Sequence, residues 1–81
     1  MDVTIYTTPT CLWCAKTKEF LKINNVSYKE INVAEDQKTA RDIVARSGQT
    51  GVPQIEIKNG DESIIIVGYD KTALTKALHL K

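Results

Sequence analysis

Two cysteines, Cys11 and Cys14, are the only thiols in the 81-residue chain, and they stand three positions apart as Cys11-Leu12-Trp13-Cys14. Thiols at that spacing can close a disulfide with each other and exchange it with a partner, because a thiolate attacks a disulfide sulfur through a mixed-disulfide intermediate. The polar run Thr7-Thr8-Pro9-Thr10 precedes them, and the strand-like Val3-Thr4-Ile5-Tyr6 precedes that run. The first cysteine is therefore expected where a strand gives way to a helix, a place where unpaired backbone N–H groups and the helix dipole favour a thiolate over a thiol.

Other chemistries are poorly served. Tetrahedral zinc needs four ligands, and beyond the two cysteines only His79, expected at the surface, could contribute, so no intramolecular metal site is expected. A cysteine–histidine nucleophile pair would have to draw its base from the same terminal residue. Eleven basic and ten acidic side chains give a formal charge of +1, which offers no bulk attraction for nucleic acid or an anionic membrane. No apolar stretch is long enough to cross a bilayer and no cleavable leader is read at the N-terminus, where Met1 is read as the initiator, so a cytoplasmic protein is expected. In a reducing compartment a lone pair closing so short a loop makes a poor structural staple.

The elements that must position the pair follow from patterning. Residues 2–6 read as a strand, Thr10 as a possible N-cap, and residues 12–24 as a helix with Trp13, Thr17, Phe20 and Leu21 on one face and Lys16, Glu19 and Lys22 on the other. Asn24-Asn25 ends it. A second strand is placed at residues 28–32, and a second helix opens at Glu35-Asp36 and stops at Gly48. Residues 53–58 alternate with period two, Ile55 and Ile57 facing in, and begin at a proline. Asn59-Gly60 signals a hairpin, with Asp61-Glu62 lengthening its loop before a return strand at residues 63–67. The apolar run Ile64-Ile65-Ile66-Val67 calls for helix cover on at least one face. Asp70 can cap a last helix with Ala73, Leu74, Ala77 and Leu78 as its stripe. The order is βαβαββα with the first two strands parallel, and residues 1–81 form one α/β domain without repeat or linker.

The run from Ile5 to Cys14, the loop Arg46-Ser47-Gly48-Gln49-Thr50-Gly51-Val52-Pro53-Gln54-Ile55 and the turn Val67-Gly68-Tyr69-Asp70 together resemble the glutaredoxins, across essentially the whole chain. The resemblance implies a thioredoxin-like fold, a four-stranded mixed sheet flanked by three helices. It implies that Cys11 is the nucleophile, that Cys14 resolves the mixed disulfide, and that the Val52–Pro53 peptide is cis, presenting the Val52 backbone to an extended peptide or to glutathione. Gly68, Tyr69 and Asp70 would line the far side of that groove, and Trp13, half exposed between the cysteines, would cover the sulfurs and meet the partner. Lys16 and Lys18 both read as solvated helix residues rather than groups that tune a thiolate, and Lys16, nearer the helix start, is the better candidate of the two.

The implied activity is reduction of protein or glutathione mixed disulfides, as part of cell redox homeostasis, by a monomer without a bound cofactor and with glutathione as co-substrate. The family also includes redoxins that serve ribonucleotide reductase and are reduced by thioredoxin reductase. Several positions depart from the glutathione-using pattern. Thr8 stands where a lysine is usual, Val67 where a second glycine is usual, Lys71 where an acidic residue is common, and Leu12-Trp13 where Pro-Tyr is common. A non-catalytic iron–sulfur carrier, with Cys11 of two chains holding a cluster, is the remaining alternative.

Overall fold

A computed structural model describes residues 2–80 of the chain, and Met1 lies outside them. The elements in order are β1 (Asp2–Thr7), α1 (Leu12–Ile23), β2 (Lys29–Asn32), α2 (Gln37–Ser47), β3 (Gln54–Asn59), β4 (Glu62–Val67) and α3 (Lys71–Ala77). The strands form one mixed sheet in the order β2-β1-β3-β4, with β1 parallel to β2 and antiparallel to β3. This is the thioredoxin-like arrangement, a four-stranded mixed sheet with three helices, that the resemblance to the glutaredoxins implies.

One face of the sheet carries the apolar core. Val3, Ile5, Ile55 and Ile57 alternate along β1 and β3 and pack with Leu21 of α1 and with Leu74 and Leu78 at α3, all buried. The period-two run of β3 and the 3.6-residue stripes of the two helices therefore meet on the same side. The opposite face is also covered, which the alternation does not show. Gln54 and Glu56, expected to face solvent, are 1% and 6% exposed. Arg46 of α2 reaches over this face to Glu56 Oε2 and, at 3.2 Å, to the Tyr6 hydroxyl, while the Tyr6 hydroxyl donates to Glu56 Oε1 at 3.1 Å. A buried carboxylate is tolerable there because its oxygens are paired.

The helix ends follow local chemistry. Asp36 caps α2 by accepting the Thr39 amide at 3.0 Å, and Gly48 ends it at φ 73°, where a side chain would be strained. Asn25 ends α1 at φ 58°, with its N–H donating to Lys22 O and that of Val26 donating to Leu21 O, the bonding of a Schellman turn. Each strand, and the end of α1, shifts by a residue from expectation, and two of the differences bear on local chemistry. Asn59 pairs with Glu62, so the hairpin turns through Gly60-Asp61 alone and Glu62 belongs to β4 rather than to the loop. The cap of α1 is Cys11, not Thr10. β4 is an edge strand: Ile66 packs against the core, while Ile64 and Val67 stay 48% and 42% exposed, so the expected cover is partial.

Candidate active site

Cys11 has extended backbone, φ −87° and ψ 109°, and its Sγ accepts the Cys14 amide N–H at 3.0 Å. The sulfur occupies the place that a serine or aspartate oxygen takes at other helix starts, where the first amides have no partner within the helix. The Cys11 N–H donates to Thr8 O at 3.3 Å, so the turn before the helix holds the same residue from its other side. Thr10 has an ordinary N-cap side chain, yet the helix begins one residue later, at a cap supplied by Cys11. Its replacement by a sulfur cap is a signal that N-cap statistics do not carry.

Cys14 lies one helical turn on, 1% exposed. Burial pushes its thiol up to about 12, and the hydrogen bond with Cys11 adds to the rise, while the Thr8 backbone amide and the Lys18 charge pull the other way. Both cysteines are free thiols. Lys18, one turn beyond Cys14 and read as solvated, is paired with Glu30 at 3.0 Å, and Glu30 accepts a further bond from the buried Thr7 hydroxyl at 2.8 Å. These bonds, first from Lys18 and then from Thr7, hold the Glu30 carboxyl below its usual range. Lys16, the better tuning candidate of the two lysines, lies over the Trp13 ring, 5.6 Å from its centroid.

An open groove of about 260 Å³ is lined by Trp13, Val52, Pro53, Gly68 and Tyr69. Five residues singled out from three separate stretches of sequence thus come together. The Val52–Pro53 peptide is cis. The Gly68 N–H donates to Pro53 O at 2.8 Å and ties the two walls, and Gly68 has φ 86°, a conformation that favours a residue without a side chain. Trp13, 55% exposed, stacks on Tyr69 with ring centroids 6.1 Å apart, and Phe20 meets Tyr69 edge-on at 6.2 Å. Asp70 stands apart from the lining residues. Its Oδ1 accepts the Ala73 amide at 3.0 Å and caps α3. Neither cysteine lines the groove; both stand on the helix turn that carries Trp13. A larger cleft of about 550 Å³ between α1 and α3 has Lys16, Phe20, Tyr69 and Lys71 among its walls and contains no thiol.

The sequence profile of the glutaredoxin family matches residues 3–62, which include both cysteines, the loop before β3 and the start of β4. The chain belongs to the glutaredoxin family. It is 43% identical over 76 residues to a glutaredoxin-like 8.6 kDa protein of the rubredoxin operon of Clostridium pasteurianum, covering 94% of this chain and 96% of that one. It is 38% identical over 56 residues to glutaredoxin 3 of Escherichia coli, covering 69% and 68%. Among solved structures, the glutaredoxin-like NrdH-redoxin of Escherichia coli, described as having a thioredoxin-like activity profile, superposes with a TM-score of 0.78 at 25% identity, over 94% of this chain and 93% of that one. The glutaredoxin fold therefore carries the two cysteines at the start of α1. Among the described residues no group of three or more His, Cys, Asp or Glu is placed to hold a metal ion, and no helix is long and apolar enough to cross a membrane.

Two features of the site escaped sequence reading. Gln54, directly after the cis peptide, is buried and bonds to the loop before it, through Nε2 to Gln49 O at 3.0 Å and Gly51 O at 2.9 Å. The alternation of Ile55 and Ile57 assigns Gln54 to the solvent side of the strand, so no local signal marks it. The Thr7–Glu30–Lys18 chain depends on pairing between residues 12 and 23 positions apart, which no local pattern encodes.

Proposed function

We propose that this protein is a dithiol thiol–disulfide oxidoreductase that reduces disulfides in polypeptides. The observation that carries the reading is the asymmetry of the pair: Cys11 Sγ caps α1 at a partly exposed position, while Cys14 is buried behind it and held as a thiol at neutral pH. Attack therefore falls to Cys11. Its thiolate displaces one sulfur of the substrate disulfide, forming a mixed disulfide and releasing the first substrate thiolate, which takes up a proton. Cys14 then loses its proton and attacks Cys11 Sγ, releasing the second substrate thiol and leaving a Cys11–Cys14 disulfide. Two electrons leave the protein, and an external dithiol or thiol reductant restores them.

The substrate chain lies in the groove beside Trp13, where the Val52 N–H and C=O, which make no hydrogen bond within the described residues, receive its main chain. Cys11→Ser abolishes reduction of a peptide disulfide, whereas Cys14→Ser accumulates a mixed disulfide that mass spectrometry detects. Full activity of Cys11→Ser would refute the assignment.

For the reductant, a thioredoxin reductase is the partner favoured over glutathione. Thr8 and Lys71 supply neither a cation before the first cysteine nor an acid after Asp70, and a relative of the same length has a thioredoxin-like activity profile. A redoxin reduced in that way would pass its electrons to a reductase such as ribonucleotide reductase. NADPH oxidation coupled to thioredoxin reductase, against glutathione reductase with glutathione, decides the matter. Turnover with glutathione alone would reverse the choice.

A further inference from the structure

Val52 stands between two anchored carbonyls. On its far side the Pro53 carbonyl accepts the Gly68 N–H at 2.8 Å. On its near side the Gly51 carbonyl accepts Gln54 Nε2 at 2.9 Å, and the same nitrogen donates to Gln49 O at 3.0 Å. The orientation of the Gln54 amide is set by its partners, since only the NH₂ end can serve two carbonyls. The Oε1 end is left buried without a hydrogen-bond partner among the described residues. A side chain held there only to fill space would be apolar and carry no orphaned acceptor. The fold accepts that orphan and obtains in return two bonds onto a loop that is otherwise exposed at Gly48, Gln49, Thr50 and Gly51.

We propose that Gln54 is a positioning residue for substrate: by bracing the Gln49 and Gly51 carbonyls from inside the sheet, it fixes the plane of the Gly51–Val52 peptide and hence the direction in which the Val52 N–H meets a polypeptide chain in the groove. The inference rests on the reading that a disulfide-bearing chain occupies that groove. Gln54 touches neither sulfur nor substrate. Its removal loosens a hydrogen-bonding edge and leaves the thiol chemistry alone, so a substrate with a peptide backbone suffers while a small disulfide without one does not.

The test uses the reduced full chain and follows single-turnover oxidation by Trp13 fluorescence, with a cystine-bridged peptide and, separately, hydroxyethyl disulfide. Gln54→Leu fills the space and donates nothing. Gln54→Glu keeps the shape but sets a carboxylate against both carbonyls. In each, the half-saturating concentration of the peptide rises about tenfold, the equivalent of about one ordinary hydrogen bond. The maximal rate and the rate with hydroxyethyl disulfide stay within about twofold, and so does alkylation of Cys11. A folded variant with unchanged peptide saturation, or an equal loss on both substrates, overturns the proposal. If neither variant folds, the wild-type Gln54 Nε2 protons decide by NMR: slow exchange and coupling to the Gly51 carbonyl support it, and rapid exchange overturns it. Absence of peptide-disulfide turnover by the wild type would instead sink the proposed function itself.

Discussion

Replacing Arg46 by methionine tests the polar layer that α2 lays over the sheet. Glu56 has an 8% exposed side chain, and its Oε2 depends on Arg46, whose own side chain is 36% exposed. Burial alone would raise the Glu56 carboxyl, but the hydrogen bonds from Arg46 and Tyr6 overcome it and hold the group below its usual range. Exposed pairs are worth about 0.2–1 kcal/mol, and breaking a buried one costs about 3–5 kcal/mol. A pair buried on the acidic side and open on the basic side falls between, so Arg46→Met should lose about 2–3 kcal/mol at pH 7. For a domain of this size that is a fall in Tm of roughly 10–20 °C. The sign of the pH dependence follows from the same pair. In the wild type the depressed carboxyl contributes stability that is complete above its unfolded pKa and is lost as pH falls through the folded value. In the variant, burial acts unopposed by Arg46, raising the folded pKa, so acid relieves the defect. Thermal melts followed by circular dichroism should therefore show the gap between the two proteins widest at pH 7 and narrowing toward pH 4. In a Glu56→Gln background the Arg46 substitution should cost under about 1 kcal/mol. A gap under about 1 kcal/mol at pH 7, or one that stays constant down to pH 4, would refute the reasoning.

The thiols and the last helix are open to similar tests. Iodoacetamide at pH 7 should label Cys11 of the native reduced protein and leave Cys14 unlabelled until the chain is denatured, as peptide mapping will show. Because the folded Cys14 stays protonated while the unfolded thiol ionises, the reduced protein should lose stability as pH rises above about 9, measured by denaturant titration. Leu74→Ala, at a fully buried position of α3, should cost about 2–5 kcal/mol in urea unfolding. Asp70→Ala should cost about 1 kcal/mol through loss of the α3 cap, and Asp70→Asn should restore most of it.

What local pattern encodes was legible, and what depends on distant pairing was not. Ile55 and Ile57, the stripes of α1 and α3, Asp36, Gly48 and Asp70 announce themselves through period and capping chemistry, and they suffice to build the sheet and its apolar face. Cys11 and Trp13 are marked by the cysteine spacing and the strand-to-helix junction, whereas Val52 and Tyr69 are legible as site residues only through the resemblance to the glutaredoxins. The second face of the sheet was not visible. Tyr6, Arg46 and Glu56 lie 40 and 50 positions apart from first to second and from first to third, and each alone reads as an ordinary surface residue. The role of Lys18 is hidden for a similar reason: a helix lysine looks solvated until the strand bearing Glu30 lies beside it. Gln54 was hidden by its neighbours, because an alternating strand suggests one wet face and this sheet has none at β3.

Cys11 caps α1 with an atom that the proposed reaction consumes. In the reduced protein the sulfur takes the Cys14 N–H, and once bound to a second sulfur it becomes a much poorer acceptor. The first turn of α1 is then held more firmly before electron transfer than after it. Thermodynamic linkage turns that difference into a driving force: whatever the cap adds to the reduced form is subtracted from its tendency to give electrons up. A cap of about 1 kcal/mol corresponds to a midpoint potential higher by roughly 20 mV for a two-electron couple. The reducing power of the protein is thus adjustable from the backbone of one helical turn, by an amide hydrogen bond rather than by any side chain that grips a substrate.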